Sequence, residues 1–143
     1  MLNRFLILAG KGTILNISSN TGLEVPQKGM GEVIYHACKS FLEGFTNALR
    51  NETVGTDIRV LALRPGFVKT HFHYQRVGRD DRAFEAIFEG TEPLEAEDVA
   101  AAALWMLQQP ERISIKAMDV LPSAQRSLSV VDKEWKARRV PKR

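Results

Sequence analysis

A single cysteine, Cys38, cannot close a disulfide within the chain. Stability therefore has to come from burial alone, and a reducing, cytoplasmic setting is expected. No apolar run approaches the ~18 residues of a membrane helix. The nearest thing to a leader is Phe5-Leu6-Ile7-Leu8-Ala9 after Arg4. It falls short of the ~7–15 apolar residues of a secretory core and reads as part of the fold. Histidine is scarce, and His71-x-His73 brings no third ligand spacing, so no metal site is expected. There is no internal repeat and no low-complexity block. What remains is 44% hydrophobic and 26% charged over 143 residues. That is one ordinary globular domain's worth of chain, which excludes collagen, coiled coil and disorder as the whole answer.

The net charge of +3 is unevenly placed. From Arg126 onward seven basic residues face only Asp132 and Glu134, while residues 1–125 are slightly acidic. The basic pI belongs to that tail. Residues 126–143 read as a solvated, partly frayed terminus, with Trp135 as the one anchor. Neither nucleic acid nor a membrane is expected as a partner.

Strand and helix signals alternate. Thr13–Ser18 is a short β-branched run after Gly10-Lys11-Gly12, read as a strand buried on both faces. A polar, glycine-bearing loop runs to about Gly31. Ile34, Ala37, Cys38, Phe41, Leu42, Phe45, Ala48 and Leu49 then recur at spacings of three and four, one apolar stripe of a long helix over 32–53. Cys38 reads as core on that stripe. Phe41 and Phe45 face either the sheet or a second copy of the chain. Ile58–Leu63 is a second strand, closed by Pro65-Gly66. Glu95, Glu97 and Asp98 open a helix through Leu107, since acidic residues in a first turn complement the helix dipole, and Pro110 stops it. Trp105 and Met106 there read as core. A third strand spans about Ile113–Leu121. This order predicts an α/β fold with about three parallel strands and crossover helices over residues 1–125. Ligands of such sheets bind beyond the carboxyl ends of the strands.

Tyr35 and Lys39 stand four residues apart and share a helix face. A free tyrosine titrates near ~10, too high for a proton shuttle at neutral pH. A neighbouring ammonium is expected to pull it down. Ser19, at the end of the preceding strand, is placed to hold a substrate oxygen beside that phenol. Such a set moves a proton on and off an alcohol or carbonyl.

The segments GTILNISSNTG, YHACKSFLEGFTNALR and IRVLALRPGFVKT, in that order, resemble the second half of a short-chain dehydrogenase/reductase. EAEDVAAAALWML and the run to VLPS resemble it too. The resemblance implies a partial Rossmann-like sheet and hydride transfer between NAD(P), with NADP favoured, and a small alcohol or ketone. It implies Ser19, Tyr35 and Lys39 as the catalytic set. It implies Ser18, Tyr35, Lys39, Pro65, Gly66, Val68 and Thr70 as cofactor contacts, and residues from about His71 to Gly90 as the substrate loop. Family members often pair through the 32–53 helix, so a homo-oligomer is an expectation.

Two features depart from the pattern. The interval from Ser19 to Tyr35 is longer than usual in the family, and the extra residues fall in 26–31. The glycine-rich turn Thr-Gly-x-x-x-Gly-x-Gly is absent, and Gly10-Lys11-Gly12-Thr13 does not replace it. The expectation is a truncated form with an open edge at its first strand, poor stability alone and no turnover unless a partner supplies the other half. The competing expectation is an inactive remnant serving as an interaction module.

Overall fold

Three β-rich runs form the frame of the molecule. A computed structural model describes residues 10–29 and 31–139. The Phe5–Ala9 segment and Met30 lie outside the described residues. The elements are β1 (Lys11–Ile17), a 3-10 turn (Asn20–Gly22), α1 (Val33–Glu52), β2 (Asp57–Pro65), α2 (His71–Arg76), α3 (Asp81–Phe88), α4 (Ala96–Leu107), β3 (Ala117–Val120) and a 3-10 turn (Ala137–Arg139). The strands form one parallel sheet in the order β1-β2-β3, so the α/β fold holds. No helix among the described residues is long and apolar enough to cross a membrane.

Side chains alternate across a strand, and the two faces of this sheet bury different chemistry. Leu61 and Leu63 are fully buried with Met106 of α4, and Leu15, Val99, Ala102, Ala103 and Met118 close around them. On the other face α1 is held largely by polar bonds. Asn16 Nδ2 donates to Thr46 Oγ1 at 2.8 Å. Lys39 Nζ donates to the Ile17 carbonyl at 2.9 Å. Arg50 Nε donates to the Val60 carbonyl at 3.1 Å. Arg64 grips Glu43 through Nε at 2.9 Å and a terminal nitrogen at 2.8 Å.

That polar seam corrects the expected orientation of α1. Its buried residues are Glu43, Thr46 and Leu49. Cys38 is exposed rather than core, Ile34 is 79% exposed and Phe41 71%. Helical spacing identifies an apolar stripe but not its partner, and hydrogen bonds to the strands turn this stripe outward. Trp105 is likewise half-exposed, while its neighbour Met106 is fully buried as expected. β1 is an edge strand of the described sheet and only partly buried, not covered on both faces.

The third strand is shorter than the expected Ile113–Leu121. Residues ahead of it still turn away from α4, with Ile113 N bonded to the Pro110 carbonyl at 2.8 Å. Arg59 reaches from β2 to the carbonyls of Gln109 at 2.9 Å and Ile113 at 3.0 Å. This places a cation on the carbonyl end of α4, where the helix dipole favours it. At the opposite end of α4, Asp98 accepts from the Glu95 N–H at 2.9 Å, as its acidic first turn predicts.

The basic C-terminal stretch folds back. Asp132 N donates to the Ala124 carbonyl at 2.8 Å and Lys136 N to the Gly90 carbonyl at 3.1 Å. Gly90 has φ +72°, and a Cβ there would run into the Lys133 carbonyl, so glycine is required under this segment. The Arg139 guanidinium stacks on Trp135, 4.1 Å from the ring centroid. After β2, His73 is buried among Phe67, Phe72 and Phe88, with ring centroids 5.3–5.9 Å away.

Buried titratable groups make the stability of this fold depend on pH in two places. Arg64 holds the Glu43 carboxyl below the ordinary carboxylate range. Its stabilisation is complete above that ordinary range and is lost as pH falls through the depressed folded value. Glu43→Gln should cost about 3–5 kcal/mol in urea unfolding at neutral pH, with the gap to wild type closing in acid. Burial lowers the His73 imidazole from 6.5 to about 4. Its neutral form is therefore stable above 6.5, and stability drains between 6.5 and 4, on the order of 3 kcal/mol in total. His73→Phe should flatten that limb of the pH–stability curve.

Candidate active site

The carboxyl ends of β1 and β2 and the first turns of α1 meet at one point. Ser18 N extends the ladder by donating to the Leu63 carbonyl at 2.7 Å. The chain then breaks from the sheet at Ser19, whose backbone is extended and whose Oγ accepts from Thr21 N at 3.3 Å. This caps the Asn20–Gly22 turn. The turn rests on α1: His36 Nδ1 lies 2.6 Å from the Thr21 carbonyl, and Ser40 Oγ donates to the Gly22 carbonyl at 3.0 Å. A Cβ at Gly22 would come within 3.1 Å of the Lys39 carbonyl. A side chain there would crowd the helix, so glycine suits this close approach.

A cavity of about 320 Å³ opens here, and all eight residues singled out in the sequence line it: Ser18, Ser19, Tyr35, Lys39, Pro65, Gly66, Val68 and Thr70. Ser19 and Tyr35 face this cavity together, the Ser19 hydroxyl donating to Asn20 Oδ1 at 3.3 Å. Lys39 lies on the same helix face, its ammonium 5.6 Å from the Tyr35 ring centroid. That ammonium bonds the Ile17 carbonyl and sits over the ring rather than at the phenol oxygen.

The electrostatics therefore differ from the expectation set by spacing alone. Burial raises the Tyr35 phenol above its ordinary value, and Glu32 adds to the rise; the neighbouring Ser19 and Arg76 pull the other way. Lys39 is itself lowered, chiefly by burial. The expected depression of the phenol by Lys39 is not present in this arrangement, because the cation meets the π face instead of the oxygen.

Beyond β2 the backbone offers a second kind of group. Leu94 N donates to the Phe67 carbonyl at 2.9 Å, and Lys69 N donates to the Leu94 carbonyl at 2.8 Å. In a parallel pairing of this type Val68, between them, turns its own N–H and C=O to the opposite side. Gln125 lies against Gly66, where a Cβ would strike its amide oxygen, and that oxygen accepts from Phe67 N at 2.9 Å.

Several cavity residues were not named individually from the sequence, although Phe72 and Arg76 fall in the 71–90 stretch expected as the substrate loop. Phe72 packs on Tyr35 with centroids 5.2 Å apart. Arg76, over the face of Phe72 at 5.7 Å, forms an ion pair with Glu32 at 2.6 Å. Gln125 and Leu128 reach the cavity from the C-terminal segment, where Leu128 N is held by Glu24 at 2.7 Å. Asn20 Nδ2, Thr21 Oγ1 and Glu32 Oε2 are buried here without a hydrogen-bond partner among the described residues. Buried polar atoms are rarely left so, and their clustering on one cavity marks a place for a polar ligand. Among the described residues no three His, Cys, Asp or Glu side chains gather to hold a metal; His71 is exposed and His73 is buried in aromatic rings.

The chain is 38% identical over 115 residues to an NADP-dependent 3-hydroxy acid dehydrogenase of Schizosaccharomyces pombe, covering 80% of this chain and 43% of that protein. It is 36% identical over 121 residues to a sulfoacetaldehyde reductase of Chromohalobacter salexigens, covering 84% and 47%. Its fold superposes with a TM-score of 0.79 on the closed form of serine dehydrogenase complexed with NADP+, at 31% identity, covering 85% of this chain and 48% of that one. The chain thus spans less than half the length of these relatives. Residues 1–80 match the family model for short chain dehydrogenases, and the chain belongs to that family.

Proposed function

We propose that this chain carries the proton-transfer site of an NADP-dependent dehydrogenase acting on a small hydroxy acid or the corresponding carbonyl compound. One observation carries the reading: Ser19 and Tyr35 open on the same cavity as Lys39 and the Pro65–Thr70 segment. A volume of about 320 Å³ is at the small end for ligand pockets, which suits a short substrate. The relatives named for 3-hydroxy acids, sulfoacetaldehyde and serine support an acid-bearing one.

The residues present fit part of a nicotinamide nucleotide. Val68 offers an amide N–H and C=O side by side, as a carboxamide requires, and Asn20 and Thr21 line the same cavity. Lys39 would hold the ribose; Pro65, Gly66 and Thr70 would flank the ring, with Ser18 behind it. NADP is the proposed form because the fission-yeast relative is named for it and the structural neighbour carries it. When bound, the nicotinamide supplies the two-electron acceptor and donor.

Ser19 orients the substrate oxygen by a hydrogen bond and stabilises the charge that develops on it. Tyr35 takes the hydroxyl proton during oxidation and returns it during reduction. Because burial raises the phenol, its protonated form is ready for carbonyl reduction at neutral pH. Alcohol oxidation needs the phenolate and should quicken as pH rises. The exposed Ile34, Phe41 and Phe45 of α1 suit a second copy of the chain. The proposed location is cytoplasmic, supported by the lone cysteine.

The test joins this chain to the part of the S. pombe relative that it does not match. That chimaera should oxidise 3-hydroxypropionate with NADP+, followed by the near-ultraviolet absorbance of the reduced nicotinamide, and faster at alkaline pH. Tyr35→Phe should lower turnover by about 10²–10⁴-fold while nucleotide binding persists. Undiminished turnover in that variant would refute the assignment of Tyr35.

A further inference from the structure

The segment after β3 reaches the cavity, although the proton transfer proposed above makes no use of it. The chain turns at Pro122, whose carbonyl accepts from Gln125 N at 2.8 Å, and then doubles back. Gln125 pairs with Val131 in an antiparallel bridge, and Arg126 N donates to the Val130 carbonyl at 2.8 Å. Leu128 sits in the loop of this hairpin. Such loops ordinarily run over the surface, yet Leu128 is 6% exposed and Gln125 5%. Both line the cavity.

The hairpin is fastened at two points. At one, the Gln125 side-chain oxygen accepts from Phe67 N at 2.9 Å, and its amide nitrogen donates to the Ser127 carbonyl at 3.1 Å. Phe67 adjoins Val68, so this end lies at the wall proposed for the nicotinamide. At the other, Leu128 N donates to the Glu24 carboxylate at 2.7 Å. Glu24 leans on the turn that Ser19 caps, its N–H bonded to the Asn20 carbonyl at 3.1 Å. This end lies on the side of Ser19, which is proposed to hold the substrate oxygen. Phe67 follows β2 and Glu24 follows β1, so residues 125–128 cross the carboxyl ends of two strands.

A leucine side chain forms no hydrogen bond. It contributes only shape and the exclusion of water. On a free backbone it could swing aside for a longer ligand. Here the hairpin bonds hold it on one side, and a charge-assisted bond to Glu24 holds it on the other. In a close-packed interior a wall fixed in this way responds to a single methylene.

We propose that residues 125–128 form a strap across the site and that Leu128 limits the length of the substrate. This rests on reading the cavity as a hydroxy-acid site, and it narrows that class to acids with no long chain on the hydroxyl-bearing carbon. Glu24 is a positioning residue for Leu128, and Gln125 is one for the Phe67–Val68 backbone.

Two probes test this by calorimetric titration of the purified protein: 3-hydroxypropionate, and 3-hydroxyhexanoate, which carries a propyl chain on the hydroxyl-bearing carbon. The wild-type protein should bind 3-hydroxypropionate at least about tenfold more tightly. Leu128→Ala takes as many carbons from the wall as the propyl chain adds, and should bring the two affinities level or invert them. Glu24→Ala should shrink the ratio with Leu128 still in place. Glu24→Gln should keep it, because its side-chain oxygen still accepts from Leu128 N. Equal binding of the two probes by the wild-type protein overturns the length limit and leaves the hydroxy-acid reading standing. An undiminished ratio in Leu128→Ala overturns it equally. If Leu128→Ala binds neither probe, the Glu24 variants decide, and a ratio unchanged in Glu24→Ala overturns the strap. Binding of neither probe to the wild-type protein overturns both readings.

Discussion

Arg64 stands at the carboxyl end of β2 and holds Glu43 by two nitrogens in a buried fork. A bidentate pair of this kind tolerates little sliding, so it sets where α1 lies along the sheet. One turn before Glu43, Lys39 reaches the Ile17 carbonyl, and three residues after it Thr46 meets Asn16. One turn before Lys39, Tyr35 is thereby brought to the cavity that Ser19 also lines. A hydrophobic face would hold the helix with comparable strength but weaker register, because apolar burial is non-directional. The buried ion pair is better understood as a device of position than as a source of net stability.

The cavity combines a rigid floor with an incomplete polar lining. Its floor is the strand ends and the capped turn at Ser19. Its roof is aromatic, with Phe72 against Tyr35 and the Phe67, His73 and Phe88 cluster behind. Between them stand polar atoms whose needs the described chain does not meet. Such groups cost stability in the empty protein and return it when a ligand of matching chemistry enters. A raised phenol and a lowered ammonium share one cause, removal from water, and both respond to any charge brought into the cavity.

The legible part of the site was the local part. Tyr35 and Lys39 announce themselves because four residues make one helical turn. Ser19 and Pro65-Gly66 do so because strands must end in residues that permit a turn. Glu32, Arg76, Glu43 and Arg64 stayed silent, since nothing in a spacing says which carboxylate meets which guanidinium across the fold. The outward face of α1 escapes the sequence for the same reason: periodicity at Ile34, Cys38 and Phe41 describes a stripe, and burial depends on what is opposite. Ahead of the short third strand the Ile113 carbonyl is taken by Arg59, while the Lys116 carbonyl accepts from both Ala62 N and Arg50.

By itself the sequence determined the parallel α/β frame, the order of its elements and the placement of Ser19, Tyr35 and Lys39 at strand and helix ends. Those follow from backbone periods of two and about 3.6 residues. Tertiary structure alone decided which face of α1 meets the sheet, the sign of the shift on Tyr35, and the pairing of Glu32 with Arg76. Each of these depends on distance through space and on exclusion of water, and neither quantity is written in the order of residues along a chain.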